Sequence, residues 1–175
     1  MKKYIAFLRA INVGGTTIIK MSDLKLMFES FGLENVETYI QTGNVIFDSD
    51  VSRKSVLEKQ LENQLAEAFG KRIRLFVRTH REVAAMVAAC PFTPREGETV
   101  YVAILDQTPD KNAINTLLSF RSKADDFAVI GKEVYNLRHD RDASVFSNNF
   151  IEKTLGVAGT TRNLTTIKKL AEKYS

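Results

Sequence analysis

The chain has 175 residues, of which 44% are hydrophobic and 26% charged, and a formal net charge of +4. This length suits one domain or two small subdomains, and no apolar run approaches the ~20 residues of a membrane span. A lone cysteine, Cys90, excludes an internal disulfide and a thiolate metal cluster. We therefore expect a cytoplasmic protein with no metal and no cofactor. The small positive charge permits anionic partners without requiring them.

The first half of the chain predicts a ferredoxin-like unit. Lys2 and Lys3 before a short apolar run resemble a signal peptide, but Arg9 cuts that run short, so we expect a strand there. The hydrophobic spacing and turn residues predict the order βαββαβ. The predicted elements are a strand (3–10), a helix capped by Ser22, two strands (36–41 and 45–48), a helix capped by Ser52 and a strand (72–79).

The second half predicts a related unit. A short helix over 81–89 and a linker with two prolines and a glycine place a boundary after residue 91. We expect the second half to end in a helix where the first half has its last strand. Its predicted elements are a strand (99–106), a helix capped by Thr108, a hairpin (127–131 and 133–138), a helix from Ser144 and a final helix (164–174).

These patterns predict an α+β fold of two ferredoxin-like subdomains in one compact chain. The first subdomain, with its connecting helix, covers residues 1–91, and the second covers residues 92–175. The repeat is visible in the order of elements and not in residue identity. The oligomeric state does not follow from the sequence.

A glycine-containing loop follows the first strand and is the first candidate binding site. Arg9 ends that strand, and Asn12, Gly14 and Gly15 follow it. Adjacent glycines let backbone N–H groups converge on an anion, and an arginine adds a two-pronged contact. The spacing does not fit a P-loop or a dinucleotide fingerprint. The alternative is a tight turn beside a surface arginine.

Two more polar segments suit an anionic ligand. The turn Gln41–Asn44 is either a routine hairpin turn or a set of hydrogen-bonding groups beside the first loop. The segment Thr160–Thr166 stands where the final helix begins, and a helix start suits phosphate or carboxylate. In the alternative interpretation, Thr161 or Asn163 only caps that helix.

The fourth strand offers a different kind of partner. Alternation places Arg74, Phe76 and Arg78 on one face, and in one interpretation this face is open. Arginines interleaved with an aromatic ring are typical of surfaces that bind single-stranded nucleic acid. In the alternative, this face is solvated or packs against the second half. The two histidines lack metal-ligand spacing, and Cys90 has no catalytic partner nearby in sequence.

Several of these segments together resemble the domain of unknown function family 1697. The resemblance covers the first half densely and then the last fifteen or so residues. Its motifs run from Arg9 to Gly15, through Lys20-Met21, from Thr38 to Phe47, from Phe76 to Arg78 and from Thr160 to Leu170. Ala10, Thr42, Leu164 and the stretch Cys90-Pro91-Phe92 depart from the family pattern. The family is bacterial and has no established biochemical function.

The resemblance implies that the polar motif residues belong to a site. These residues are Arg9, Asn12, Gly14, Gly15, Gly43, Asn44, Thr160, Arg162, Asn163 and Thr166. Polar motif residues in loops and at helix starts are hard to explain by packing alone. We therefore expect a module that binds a small anionic ligand at the first loop, the first hairpin turn and the start of the final helix. The alternatives are nucleic-acid binding through Arg74, Phe76 and Arg78, or an enzyme of unidentified chemistry.

Overall fold

The computed structural model describes residues 1–13 and 17–174. Its contacts divide the chain into two compact units: unit 1 is residues 1–83 with Tyr174, and unit 2 is residues 84–173. The division therefore lies inside a helix, between Val83 and Ala84. The sequence places the boundary a few residues later, after residue 91.

Unit 1 is a four-stranded antiparallel sheet in the order β2-β3-β1-β4. This order of strands, with the sequence βαββαβ, is the ferredoxin-like arrangement expected for the first half. Its elements are β1 (Lys2–Leu8), α1 (Met21–Ser30), β2 (Glu34–Tyr39), β3 (Asn44–Ser49), α2 (Lys54–Phe69) and β4 (Leu75–Thr79), followed by α3 (His80–Ala89).

Unit 2 repeats this arrangement, with the strand order β6-β7-β5-β8. The α+β fold with two ferredoxin-like subdomains is confirmed. The elements are β5 (Thr99–Leu105), α4 (Lys111–Leu118), β6 (Asp125–Ile130), β7 (Glu133–Arg138), α5 (Asn148–Leu155), β8 (Gly159–Asn163) and α6 (Leu164–Lys173).

The expectation that the second half lacks a last strand is wrong. β8 pairs with β5 in antiparallel register, and the pairs include Val102 with Arg162. In unit 1 the corresponding strand β4 pairs with β1, and Ile5 lies opposite Arg78. The sequence Gly-Thr-Thr-Arg-Asn shows no alternation of apolar and polar residues, so only its hydrogen bonds to β5 identify it as a strand.

Four helices begin at residues other than the predicted caps. α4 is capped by Asp110, whose side chain accepts a hydrogen bond from Ala113 N, and not by Thr108. α5 is capped by Ser147 in the same way, and not by Ser144. The residues before α1 and α2 are Lys20 and Arg53, and neither makes a side-chain capping bond. A capping residue near a helix start therefore does not by itself fix where the helix begins.

Each unit has its own hydrophobic core between its sheet and its two helices. In unit 1, Tyr4, Ala6 and Leu8 of β1 pack in one cluster with Phe28 of α1 and Leu61 of α2. A matching cluster in unit 2 joins residues of β5, β6 and β7 to α4 and α5. Alternate residues of the inner strand β1 thus face the helices, while Ile5 and Phe7, on its other face, are also fully buried.

None of the helices among the described residues is both long and apolar enough to cross a membrane.

Candidate functional site

Asn12 fixes the loop after β1 to the hairpin turn between β2 and β3. Its Nδ2 donates to Ile19 O (2.9 Å) and to Gln41 O (2.8 Å), and its Oδ1 accepts from Ile19 N (2.8 Å). Its backbone has a φ of 55°, in the left-handed region that asparagine tolerates. Asn12 thus uses three of its four hydrogen-bonding positions within the protein. This side chain holds the loop in shape.

Gly43 is required by the same junction. Its φ is +88°, and a Cβ added there would lie 2.6 Å from Ile11 Cδ1 and 3.1 Å from Leu8 Cβ. Gly43 O also accepts a hydrogen bond from Leu8 N (2.9 Å). The turn therefore lies directly on the end of β1, and a side chain at this position would both strain the backbone and collide with the core.

Asn44 is fully buried at the start of β3. Its Nδ2 donates to Tyr39 O (2.8 Å) and to Thr42 Oγ1 (3.0 Å), across the hairpin turn. Asn12, Gly43 and Asn44 of the predicted site therefore share a local task, which is to build the junction of loop and turn. Gly14 and Gly15, the predicted anion loop, lie outside the described residues.

Arg9 marks the end of the sheet at this junction. Its backbone N donates to Arg74 O (2.8 Å), so the backbones of two arginines meet where β1 ends and β4 approaches. Arg9 is half-buried, and the Arg74 guanidinium lies 5.5 Å from the centre of the Phe76 ring. Unit 1 therefore has arginines at this end of its sheet.

Arg162 lies inside unit 2, on strand β8. Only 6% of it is exposed, and this burial lowers the pKa of its guanidinium to about 10. Its Nη1 donates to Thr160 Oγ1 (2.8 Å) and to Thr161 O (3.0 Å). Thr160 is itself buried, so its motif position has a structural explanation as a partner of Arg162.

The two units place a buried arginine at the same point. Arg78 of β4 is 4% exposed, and its Nη1 donates to Val77 O (3.2 Å). Arg78 lies opposite Ile5 of the inner strand β1, and Arg162 lies opposite Val102 of the inner strand β5. In both cases a guanidinium binds the carbonyl of the residue before it.

Asn163 caps α6. Its Oδ1 accepts a hydrogen bond from Thr165 N (2.9 Å), the bond that defines an N-cap side chain. Thr166 is half-buried in the first turn of α6. Asn163, Leu164, Thr165 and Lys168 line one side of a cavity of about 180 Å³ at this helix start.

The other side of this α6 cavity is formed by Pro94, Glu98, Thr99 and Val100. Glu98 Oε1 accepts a bond from Arg95 N (2.8 Å), and its Oε2 is paired with His139. The backbone bond from Arg95, and then the bond to His139, lower the pKa of the Glu98 carboxyl. The cavity therefore has one anionic wall and one wall with a lysine and a helix start.

The sheet face proposed for nucleic acid is not open at its two key residues. Phe76 is fully buried and Arg78 is 4% exposed, so neither presents its side chain to solvent. Stacking on a base requires an exposed ring. Alternation assigned these residues to one face correctly, but it does not tell whether that face is covered.

A buried polar cluster in unit 2 escaped the sequence reasoning. Asp125 is fully buried, and its carboxylate accepts bonds from Asn136 Nδ2 (3.0 Å), Ser144 Oγ (2.7 Å) and Val145 N (2.9 Å). The acidic pair Asp125-Asp126 at a strand start was the available signal. The cluster fixes the segment that precedes α5.

The comparisons with known proteins agree with the fold. Residues 1–135 match the model of a family described as "Protein of unknown function (DUF1697)". A solved structure, that of the conserved bacterial protein SP0830 from Streptococcus pneumoniae, superposes with a TM-score of 0.76 at 22% identity. The match covers 98% of this chain and 97% of that one. The search of curated proteins gives no match.

Proposed function

The chain belongs to the DUF1697 family of proteins of unknown function, and we propose that it is a module that binds a small anionic ligand bearing phosphate or carboxylate. The cavity at the start of α6 carries this proposal. Three of its lining residues, Asn163, Leu164 and Thr165, belong to the motif segment Thr160–Thr166.

Three features of the α6 cavity suit a small anion. The first-turn N–H groups and the positive end of the α6 dipole attract negative charge. Lys168 stands one turn into the helix, and side chains on a helix lean toward its N-terminus, so its ammonium approaches the same region. The volume of about 180 Å³ is below the ~300 Å³ at which pockets for drug-sized ligands begin. The ligand group is therefore small.

Glu98 restricts where an anion can bind in the α6 cavity. Its ionised carboxylate on the opposite wall repels an anion, so the ligand would lie on the Lys168 side. Polar donors at Asn163 and Thr165 would orient it. The sequence-based hypothesis also assigns Arg9, Asn12 and Asn44 of unit 1 to this site, and that part remains a prediction, which Arg9→Gln tests.

The experiment is calorimetric titration of the protein with inorganic phosphate, acetate and citrate. Lys168→Gln should weaken binding about tenfold, because it removes one charged hydrogen bond. Lys169→Gln is the matched control, since Lys169 is exposed on the same helix and does not line the cavity. Glu98→Gln should tighten binding, because it removes the repelling charge. Equal affinities of the two lysine variants would refute the site.

A further inference from the structure

Unit 1 has a second cavity, at the start of β1 and the start of α3. Its volume is about 350 Å³, and it is lined by Lys2, Lys3, Thr79, His80 and Arg81. Tyr4 of β1 pairs with Thr79, the last residue of β4, so Lys2 and Lys3 at the start of β1 lie at the same end of the sheet as the start of α3. The antiparallel register therefore brings these cationic side chains together.

The side chains that line this cavity, which we call the basic cavity, are mostly cationic. Lys2, Lys3 and Arg81 are cationic, His80 adds an imidazole, and none of the five lining residues bears a carboxylate. Lys3 Nζ lies 3.4 Å from Asp48 Oδ1. Within the part of the chain that the structure describes, Lys2 and Arg81 make no ion pair, and both are exposed.

The carboxylate in the first turn of α3 is already bound within the protein. Glu82 is paired with Lys54, and its Oε2 accepts a bond from Thr79 N (2.8 Å). Thr79 Oγ1 in turn accepts a bond from Glu82 N (3.1 Å), so these two residues form the capping box of α3. The cap orders the rim of the cavity and leaves Lys2 and Arg81 to face a ligand.

The same recess occurs in unit 2. Tyr101 pairs with Asn163 as Tyr4 pairs with Thr79, so the α6 cavity is the equivalent of the basic cavity. In both units the last strand passes directly into a helix, at Thr79-His80 and at Asn163-Leu164. The fold thus produces the recess twice, whereas a net positive lining is a property of unit 1 alone, because Glu98 offsets Lys168 in unit 2.

The residues at equivalent positions show this difference. Lys2, Lys3, His80 and Arg81 of unit 1 correspond by register to Thr99, Val100, Leu164 and Thr165 of unit 2. Packing therefore does not require cations here, because the recess of unit 2 has neutral residues at these four positions. Gathering like charges is unfavourable unless an anion neutralises them.

We propose that the basic cavity binds a phosphorylated small molecule with at least two negative charges. Its volume lies within the roughly 300–1,000 Å³ of small-molecule pockets. Arginine and lysine provide two-pronged and point-charge contacts to phosphate oxygens, and the start of α3 adds its dipole. This site is separate from the one at α6 and does not depend on it.

The test is calorimetric titration with inorganic pyrophosphate, ATP and a short single-stranded RNA. The variant K2Q/R81Q removes the two exposed cations, and K20Q/R72Q is a control with the same loss of charge at exposed residues of unit 1 that do not line the cavity. We expect the affinity for pyrophosphate to fall at least about tenfold in K2Q/R81Q, because each charged contact is worth roughly that factor. K20Q/R72Q should change it by less than about twofold, since screened distant charges contribute little.

The outcomes separate this proposal from its alternatives. Binding of pyrophosphate or ATP that K2Q/R81Q weakens, and that Lys168→Gln leaves unchanged, supports the basic cavity. Binding of RNA alone would replace the small molecule by a nucleic-acid backbone and overturn the proposal. Absence of binding, or equal weakening in both double variants, would overturn it as well. Loss of binding in Lys168→Gln but not in K2Q/R81Q would assign the anion to the α6 cavity.

Discussion

Gly43→Ala tests whether a motif residue of the predicted site serves the fold. Forcing alanine to the φ of +88° costs about 1 kcal/mol. The new Cβ would also lie 2.6 Å from Ile11 Cδ1 and 2.9 Å from Ile11 Cγ1, and such overpacking costs about 1–3 kcal/mol. We therefore expect the free energy of unfolding to fall by about 2–4 kcal/mol.

The matched control is Gly32→Ala. Gly32 has a φ of +81°, and nothing lies within 4 Å of the Cβ position. It therefore carries the backbone cost without the collision, and we expect a loss of about 1 kcal/mol. Urea denaturation followed by circular dichroism measures both, and for a chain of this size each kcal/mol corresponds to about 2–4 °C in Tm.

Two results would contradict the reasoning. Equal losses for the two alanine variants would mean that Gly43 does not lie against Ile11 and Leu8 as described. A stable Gly43→Ala protein that no longer binds phosphate would mean that the turn contacts the ligand. Relief of the loss by a compensating Ile11→Val substitution would support the collision directly, because it removes the Cδ1 atom that the new Cβ meets.

Two further predictions concern buried or capped carboxylates. Asp125→Ala should lower the free energy of unfolding by about 2–4 kcal/mol, because it leaves Val145 N and other buried donors without an acceptor; urea denaturation measures this, and a loss near zero would show that the cluster is dispensable. Burial raises the pKa of Glu82, but bonds from Lys54 and Thr79 outweigh it and hold that pKa below its ordinary value of 4.5. The stability that this carboxylate contributes is thus present above pH 4.5 and lost as the pH falls through the lowered pKa. The stability difference between wild type and Glu82→Gln should shrink on acidification, and a difference that stays constant with pH would contradict the assignment.

The regular strands and turns of both halves follow from local chemistry. The short apolar runs of β1 and β5 and the turn residues around Gly43 predict strands and a hairpin, since strand propensity and the demand for a positive φ are local properties. The repeated order of elements then predicts two ferredoxin-like units. Helix starts were less determined, because a capping residue near a helix start does not by itself fix where the helix begins.

Only the tertiary structure decided what the polar motif residues do. β8 exists as a strand because β5 offers it hydrogen bonds, which no pattern within Gly-Thr-Thr-Arg-Asn indicates. The amide of Asn12 and the missing side chain of Gly43 serve contacts between segments about thirty residues apart. The basic cavity likewise depends on the antiparallel register of β1 and β4, which brings Lys2 and Arg81 to the same end of the sheet. The sequence alone determined which residues are polar and charged, whereas long-range pairing determined which of them meet, because that pairing joins parts of the chain that have no local relation.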